Sequence, residues 1–176
     1  MVLVDGAVYS GEQLSTSGSF KIEMKIDKID MLEERMCGTF SIYNLTSEND
    51  KLSTYYESAI IGNKHSFYNK YEDKETDELH WRMFPEWKTE ILKNKEYDIK
   101  KSGFLYLRMK ELFILPDPNV ESVEGASIEG YYYCCYYKKL DFFSGHYFYK
   151  SDKSQLSEQI LLERVYKRTS GEACLV

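Results

Sequence analysis

An antiparallel β-barrel is the fold this chain of 176 residues predicts, and three features predict it: many short alternating segments, closely spaced turn signals, and a single stretch with helical period. At 43% hydrophobic and 15% aromatic the chain has enough apolar side chains for a sizeable core, and its length suits one domain, spanning 1–176 with a core of about 9–168. Tyrosine dominates, with 16 against 9 Phe and 2 Trp, and it suits both strands and binding surfaces because a large ring carries a polar tip. A closed barrel also removes the unpaired edges that open sheets leave, and an eight-stranded one holds a small ligand in its mouth.

In chain order, the small polar stretch GEQLSTSGS reads as a loop. FKIEMKID alternates, with Phe20, Ile22, Met24 and Ile26 on one face, and GTFSIYNL and LSTYYESAII continue the strand pattern. The polar loop NLTSEND has a leucine at each border, Leu45 and Leu52. From about 77 to 93 the period changes: Trp81, Phe84 and Ile91 recur at helical spacing, and Pro85 inside this helix predicts a kink or an early break. GFLYLRMKELFILP returns to strand and ends in the turn PDPN. EGYYYCCYYKK is a strand, DFFSGHYFYK reads as two strand ends around a Ser-Gly turn, and Leu156 to Arg168 reads as a final strand or a helix.

Charge and cysteine content exclude several functions. With 23 basic and 29 acidic residues the net charge is −6, and no basic stripe interleaved with aromatics is present, so nucleic acid is not an expected partner. Cys37, Cys134, Cys135 and Cys174 form no Cys-x-x-Cys pair, and His65, His80 and His146 have no ligand spacing, so no metal and no cofactor are expected. Cys134 and Cys135, neighbours in a strand, should point to opposite faces as reduced packing residues. The start MVLVDGAVYSG is too short for a signal peptide and no segment approaches a membrane span, which leads to an expected cytoplasmic or nucleocytoplasmic location and no membrane partner. GASIEG lacks the Gly-x-Ser-x-Gly spacing, and no His-Glu-x-x-His, P-loop or dinucleotide fingerprint occurs, so a non-catalytic protein is expected.

One residue breaks the apolar pattern. Along GFLYLRMKELFILP, Leu105, Leu107, Met109, Glu111, Phe113 and Leu115 share a face, and Glu111 is its only polar member. If that face lines the barrel, Glu111 must be protonated, paired, or awaiting a cation, because an unpaired buried charge is costly. Two structural alternatives stand beside this: a bulge at Lys110–Glu111 that turns the acid to water, or an internal pair with Lys or Arg. In YYYCCYY, Tyr131, Tyr133, Cys135 and Tyr137 share one face and Tyr132, Cys134 and Tyr136 the other. A tyrosine hydroxyl near the acid would hold an amine between them, although such a run commonly belongs to a core.

The blocks LTSENDKLSTYYESAIIGNKHSF, HW, KELFILPD, EGASIEGYYY and SGHYFY, in this order over roughly residues 9 to 150, resemble the vacuolar import and degradation family, the N-degron receptors of the GID/CTLH E3 ubiquitin ligase. The resemblance implies an eight-stranded antiparallel calycin-like barrel with one inserted α-helix. It implies a substrate receptor that binds a free N-terminus, proline or a bulky hydrophobic first residue, for ubiquitination and proteasomal degradation. It further implies that Glu111 pairs with the peptide amine, that Tyr132 completes the amine clamp, and that Ser127 bonds peptide backbone. Gln13 and Tyr147 would belong to the same pocket, and Leu45, Leu52, Val123 and Ile128 would flank the peptide. Ile128 stands where an aromatic is common in the family, which implies a differently shaped lip. The expected partners are N-terminal segments of substrate proteins and the ligase scaffold, which family members engage through a C-terminal tail; GEACLV does not share the aromatic-Arg ending of those tails. Two other classes make different demands. A calycin-like small-molecule barrel would have an interior without a fixed charge, and a hydrolase or isomerase would bring a histidine, His146 first, to Glu111.

Overall fold

A computed structural model describes residues 3–70, 72–93, 95–116, 128–149 and 157–166. Eight strands run antiparallel in chain order: β1 Val8–Ser15, β2 Gly18–Asp30, β3 Arg35–Tyr43, β4 Lys51–Ile60, β5 Phe104–Leu115, β6 Tyr131–Tyr137, β7 Phe142–Phe148 and β8 Glu158–Val165. Each pairs with the next, and β1 pairs with β8 from Val8↔Val165 to Leu14↔Gln159, so the sheet closes into a barrel. The ends differ. Residues Leu3 and Ala7, with Ile29, Met31 and Ile99, pack against one end of the interior core. At the other end, where β1 turns into β2 and β3 leads to β4, the barrel has a mouth lined among the described residues by Ser15, Ser17, Leu45, Leu52, Ile128 and Tyr149.

Two expected loops are strands. GEQLSTSGS forms most of β1 and its turn into β2, with Ser15 opposite Gly18. No apolar alternation announces β1 because one of its inward positions holds Gln13 and another, Gly11, lies so close to β8 that a Cβ there would stand 1.7 Å from the Leu161 carbonyl oxygen. Within DFFSGHYFYK, Phe142–Phe148 is likewise one continuous strand, β7, not two strand ends around a turn. Gly145 occupies an interior position where a Cβ would come within 2.9 Å of Cys134 Sγ and Ile160 Cγ1, so glycine marks a close approach rather than a bend. The C-terminal segment left between strand and helix is strand β8.

The β4–β5 connection carries the helical insertion, broken as Pro85 predicts. Helix α1 spans Lys74–Trp81; Asp73 caps it, accepting from Thr76 N at 2.8 Å. Phe84 is then extended (φ −99°, ψ 115°), as the residue before a proline must be, and Pro85 starts a second short helix, α2 Pro85–Trp87, followed by a π-helical turn Lys88–Lys93. The expected single helix over about 77–93 is therefore three short pieces. Trp81, Phe84, Trp87 and Phe67 pack on the outer face of the barrel wall against Tyr106, Tyr133, Cys135 and Phe148, and Trp81 Nε1 donates to the Phe67 carbonyl at 2.8 Å. This second core explains why YYYCCYY is buried on both faces: Tyr132, Cys134 and Tyr136 point into the barrel, and Tyr133 and Cys135 lie under the insertion. The described cysteines Cys37, Cys134 and Cys135 are unpaired thiols, the last two buried.

Candidate functional site

The mouth opens into a cavity of about 300 Å³. Its walls are apolar: Phe20 from β2, Phe40 and Ile42 from β3, Leu52 from β4, Ile114 from β5, together with Leu45 and Ile128 from the flanking loops. Polar groups reach it from Gln13 of β1, Thr54 of β4, Glu111 of β5, Tyr132 of β6, Tyr147 of β7 and Glu158 of β8, with Tyr149 at the rim. Thus Gln13, Leu45, Leu52, Glu111, Ile128, Tyr132 and Tyr147 all line one cavity. Val123 and Ser127 lie outside the described residues. The sequence reading missed Thr54 and Glu158.

Glu111 faces inward by the regular alternation of β5; the strand does carry a bulge, but just after Glu111 and not at Lys110–Glu111, where it would have turned the acid out. Tyr56 pairs with Glu111 and Tyr55 with Phe113, so Leu112 is an extra residue in β5. Before it, Leu105, Leu107, Met109 and Glu111 are buried on the interior side. After it the alternation inverts. Leu112 is exposed, Phe113 stacks on Tyr55 outside the wall at 5.0 Å, and Ile114 enters the cavity. The expected face of six residues therefore ends at Glu111, and Phe113 and Leu115 do not belong to it.

Neither neighbouring base pairs with the acid. Lys110 reaches outward to the carbonyls of Ile128 and Gly130, and Arg108 donates to the Phe67 carbonyl at 3.0 Å under the helical insertion. Among the described residues Glu111 accepts one hydrogen bond, from Thr54 Oγ1 at 2.5 Å, with no cation within ion-pair distance. Burial pushes its carboxyl up to about 7, opposed by the Thr54 hydroxyl and the Lys110 charge. A shift of that size from 4.5 corresponds to roughly 3 kcal/mol against charging the empty site. Near neutrality a bound cation would therefore find a carboxylate only half committed to its proton.

The surrounding hydroxyls are ordered. Tyr132, 3% exposed, packs between Phe40 (5.2 Å) and Tyr147 (4.7 Å) and donates to Gln13 Oε1 at 3.1 Å, not to Glu111. Gln13 Nε2 in turn donates to Glu158, whose other oxygen accepts from Tyr149 at 2.8 Å. The Tyr147 hydroxyl accepts the Gly130 N–H at 2.8 Å and so ties the start of β6 to the cavity wall. His146 lies on the other side of the wall, against Phe84 and Ser157, so it is not Glu111's partner. Among the described residues no group of three or more His, Cys, Asp and Glu side chains is placed to hold a metal.

The chain is thus a closed eight-stranded antiparallel barrel, packed at one end, whose other end opens on a buried carboxylate that has one hydrogen-bond partner among the described residues and stands among apolar walls. Residues 2–165 match the vacuolar import and degradation protein family, and the chain belongs to that family. It is 29% identical to the glucose-induced degradation protein 4 homolog of Mus musculus over 86% of this chain and 73% of that protein. It is 26% identical to GID complex substrate-recognition subunit 4 of Schizosaccharomyces pombe over 88% of this chain and 87% of that one. It is 27% identical to GID complex substrate-recognition subunit 10 of Saccharomyces cerevisiae over 82% of this chain and 62% of that one.

Proposed function

We propose that this chain is a non-catalytic substrate receptor of a GID-type ubiquitin ligase and that its barrel captures the free N-terminus of target proteins for ubiquitination and proteasomal degradation. The relatives named as substrate-recognition subunits support the receptor role. The observation that carries the mode of capture is Glu111: a carboxylate 8% exposed, held among the described residues by a single hydroxyl, inside a cavity open to solvent. Such a group is complementary to an α-ammonium, which supplies the missing charge and the missing donors.

In this reading the first residue enters side chain inward between Phe40, Ile42 and Ile114, and its ammonium pairs with Glu111 beside the Tyr132 hydroxyl. The chain then leaves past Leu45 and Leu52 on one side and Ile128 on the other, with Val123 and Ser127 as further contacts on the β5–β6 connection. Apolar walls with an aliphatic lip at Ile128 suit proline or a bulky hydrophobic first residue. A charge-assisted hydrogen bond in a dry site contributes about 1.5–3 kcal/mol, so acetylation, which removes the charge and adds bulk, is expected to weaken binding by at least ten-fold. A small-molecule barrel would have no use for a fixed charge at this position. Docking to the ligase scaffold, ubiquitin transfer by other subunits and a cytoplasmic location complete the reading.

The test is a calorimetric titration with peptides that differ only in the first residue, each with a free and an acetylated end. Binding of the free forms alone is the expected result; equal binding of both forms would overturn the assignment.

A further inference from the structure

The cavity holds a second acid that the capture of an amine does not use. Glu158 opens β8 on the same inward face as Ile160 and Leu162 and stands half-buried at the cavity edge. It lies on a path that leads outward from the proposed amine site: Tyr132 (3% exposed) to Gln13 (5% exposed) to Glu158 to Tyr149 (40% exposed). Both of its oxygens accept hydrogen bonds from neutral groups, and among the described residues no cation pairs with it. Among the described residues the carboxylate of Glu158 is thus held in position by two neutral donors and by no cation. Beside it stands the ring of Tyr149, itself edge-on to Tyr147 at 4.9 Å.

The charges around the mouth point the same way. The described residues that line the cavity include Glu111 and Glu158 and no lysine or arginine. The β3–β4 connection contains Glu48 and Asp50, and the β5–β6 connection contains Asp117, Glu121, Glu124 and Glu129, with no base in either. The β7–β8 connection is mixed, with Lys150, Asp152 and Lys153. A carboxylate fixed beside an exposed aromatic face is a seat for a guanidinium or ammonium, which pairs with one and lies against the other.

We propose that Glu158, with Tyr149, is the specificity determinant for a basic side chain, Arg or Lys, at the second or third residue of the captured N-terminus. The proposal rests on the reading of the cavity as a site for a free N-terminus and narrows its substrate class to hydrophobic-first, basic-following termini. Extended peptide advances by about 3.3 Å per residue, so the residues just after the first are the ones that pass from the Glu111–Tyr132 level to the rim.

The experiment uses the whole chain and free-ended peptides of one sequence carrying Arg, citrulline or Glu at the second position, then at the third, with citrulline as the uncharged shape match for arginine. At one of the two positions Arg is expected to bind about five-fold more tightly than citrulline at low salt, a preference that shrinks at high salt, with Glu weakest. Glu158→Gln is expected to bring Arg and citrulline peptides to equal affinity, and Glu158→Lys to turn the preference in favour of Glu. Arg and citrulline binding alike at both positions overturns the proposal, as does an Arg preference that survives Glu158→Gln. A Glu158→Gln variant that weakens every peptide equally would make Glu158 only a holder of Gln13, and also overturns it. These failures leave the capture of a free terminus standing; equal binding of free and acetylated peptides, or no binding of any peptide, removes that reading and this one with it.

Discussion

Glu111 at the mouth and Asp141 at the packed end are both buried acids of one barrel, at 8% and 7% exposure, and they live under opposite conditions. Asp141 accepts from the hydroxyls of Tyr9 (2.6 Å), Tyr136 (2.7 Å) and Tyr166 (3.1 Å) and pairs with Arg164 at 3.5 Å. Three phenols and a guanidinium satisfy its charge and tie β1, β6 and β8 together. Glu111 has, among the described residues, one threonine hydroxyl. Burial alone therefore does not mark a functional acid; what marks it is burial without partners. Asp141 behaves as a fastener, and Glu111, in the function proposed above, is half of an interaction whose other half arrives from outside.

That contrast breaks first at Asp141. Asp141→Ala leaves Arg164 and three phenols without their shared acceptor, and it is expected to lower stability to urea by about 3 kcal/mol, with the peptide affinity of the remaining folded protein unchanged. Glu111→Gln is expected to do the reverse. Affinity for a free N-terminus falls by about 2–3 kcal/mol in calorimetry, while the urea midpoint at pH 8 stays the same or rises, because the neutral amide relieves a desolvated charge. A clear loss of stability in this variant would show that the acid is structural after all.

The pH dependence sharpens the comparison. Burial raises the Glu111 carboxyl to about 7 in the folded chain against 4.5 unfolded, so the folded state favours the protonated form. Its contribution to stability is then fully present below about pH 4.5 and is lost as the pH rises through about 7. The stability of wild type relative to Glu111→Gln should fall by up to about 1.4 kcal/mol per pH unit across that window, read from urea midpoints at matched pH. Binding runs the other way. Affinity for a free terminus should climb about ten-fold per unit up to pH 7 and turn down above about 8, where the peptide α-amine loses its proton.

Thr54→Val carries a smaller effect. Removing the hydroxyl that donates to the Glu111 carboxylate is expected to move the rising limb of the binding curve to higher pH and to weaken binding at pH 7 by about 1 kcal/mol. His146→Ala, on the far side of the wall, should alter affinity by less than about 0.5 kcal/mol; a loss comparable to that of Glu111→Gln would revive an acid–base pair.

Much of the fold was legible because most strands present an apolar face at period two, as Ile22, Met24 and Ile26 do on β2 and Leu105, Leu107 and Met109 on β5. Pro85 announced the broken helix for the same local reason that it breaks it. The misses are tied to the site itself. Strand β1 lines the polar mouth with Gln13 and lies against β8 at Gly11, so it lacks the signal that a strand packed on a core carries. Gly145 was misread as a turn because the closeness of Cys134 and Ile160 is a tertiary fact.

In the candidate site, parity alone isolated Glu111, and the family resemblance brought Tyr132, Tyr147, Leu45, Leu52 and Ile128 to the same cavity. Thr54 carried no signal, being one of several small hydroxyl residues on β4. Glu158 did carry one: with Ile160 and Leu162 it repeats the Glu111 pattern of an acid on an apolar face. That pattern becomes visible once the segment is known to be a strand.

The extra residue at Leu112 works as a phase shift in β5. Upstream of it the strand serves the interior with its odd-numbered residues, and downstream with its even-numbered ones. One strand can thus place an acid at the depth where apolar packing ends and return an isoleucine to the lining two positions above it, while Phe113 is free to stack outside. Deleting Leu112 would make the strand regular while Phe113 stayed opposite Tyr55 and Ile114 opposite Thr54, so the bulge sets the bend of the wall and not the identity of the lining residue. The curvature of the wall at the entrance can therefore change by the loss of a single residue, without altering which side chains line it or the packed end that holds the barrel shut.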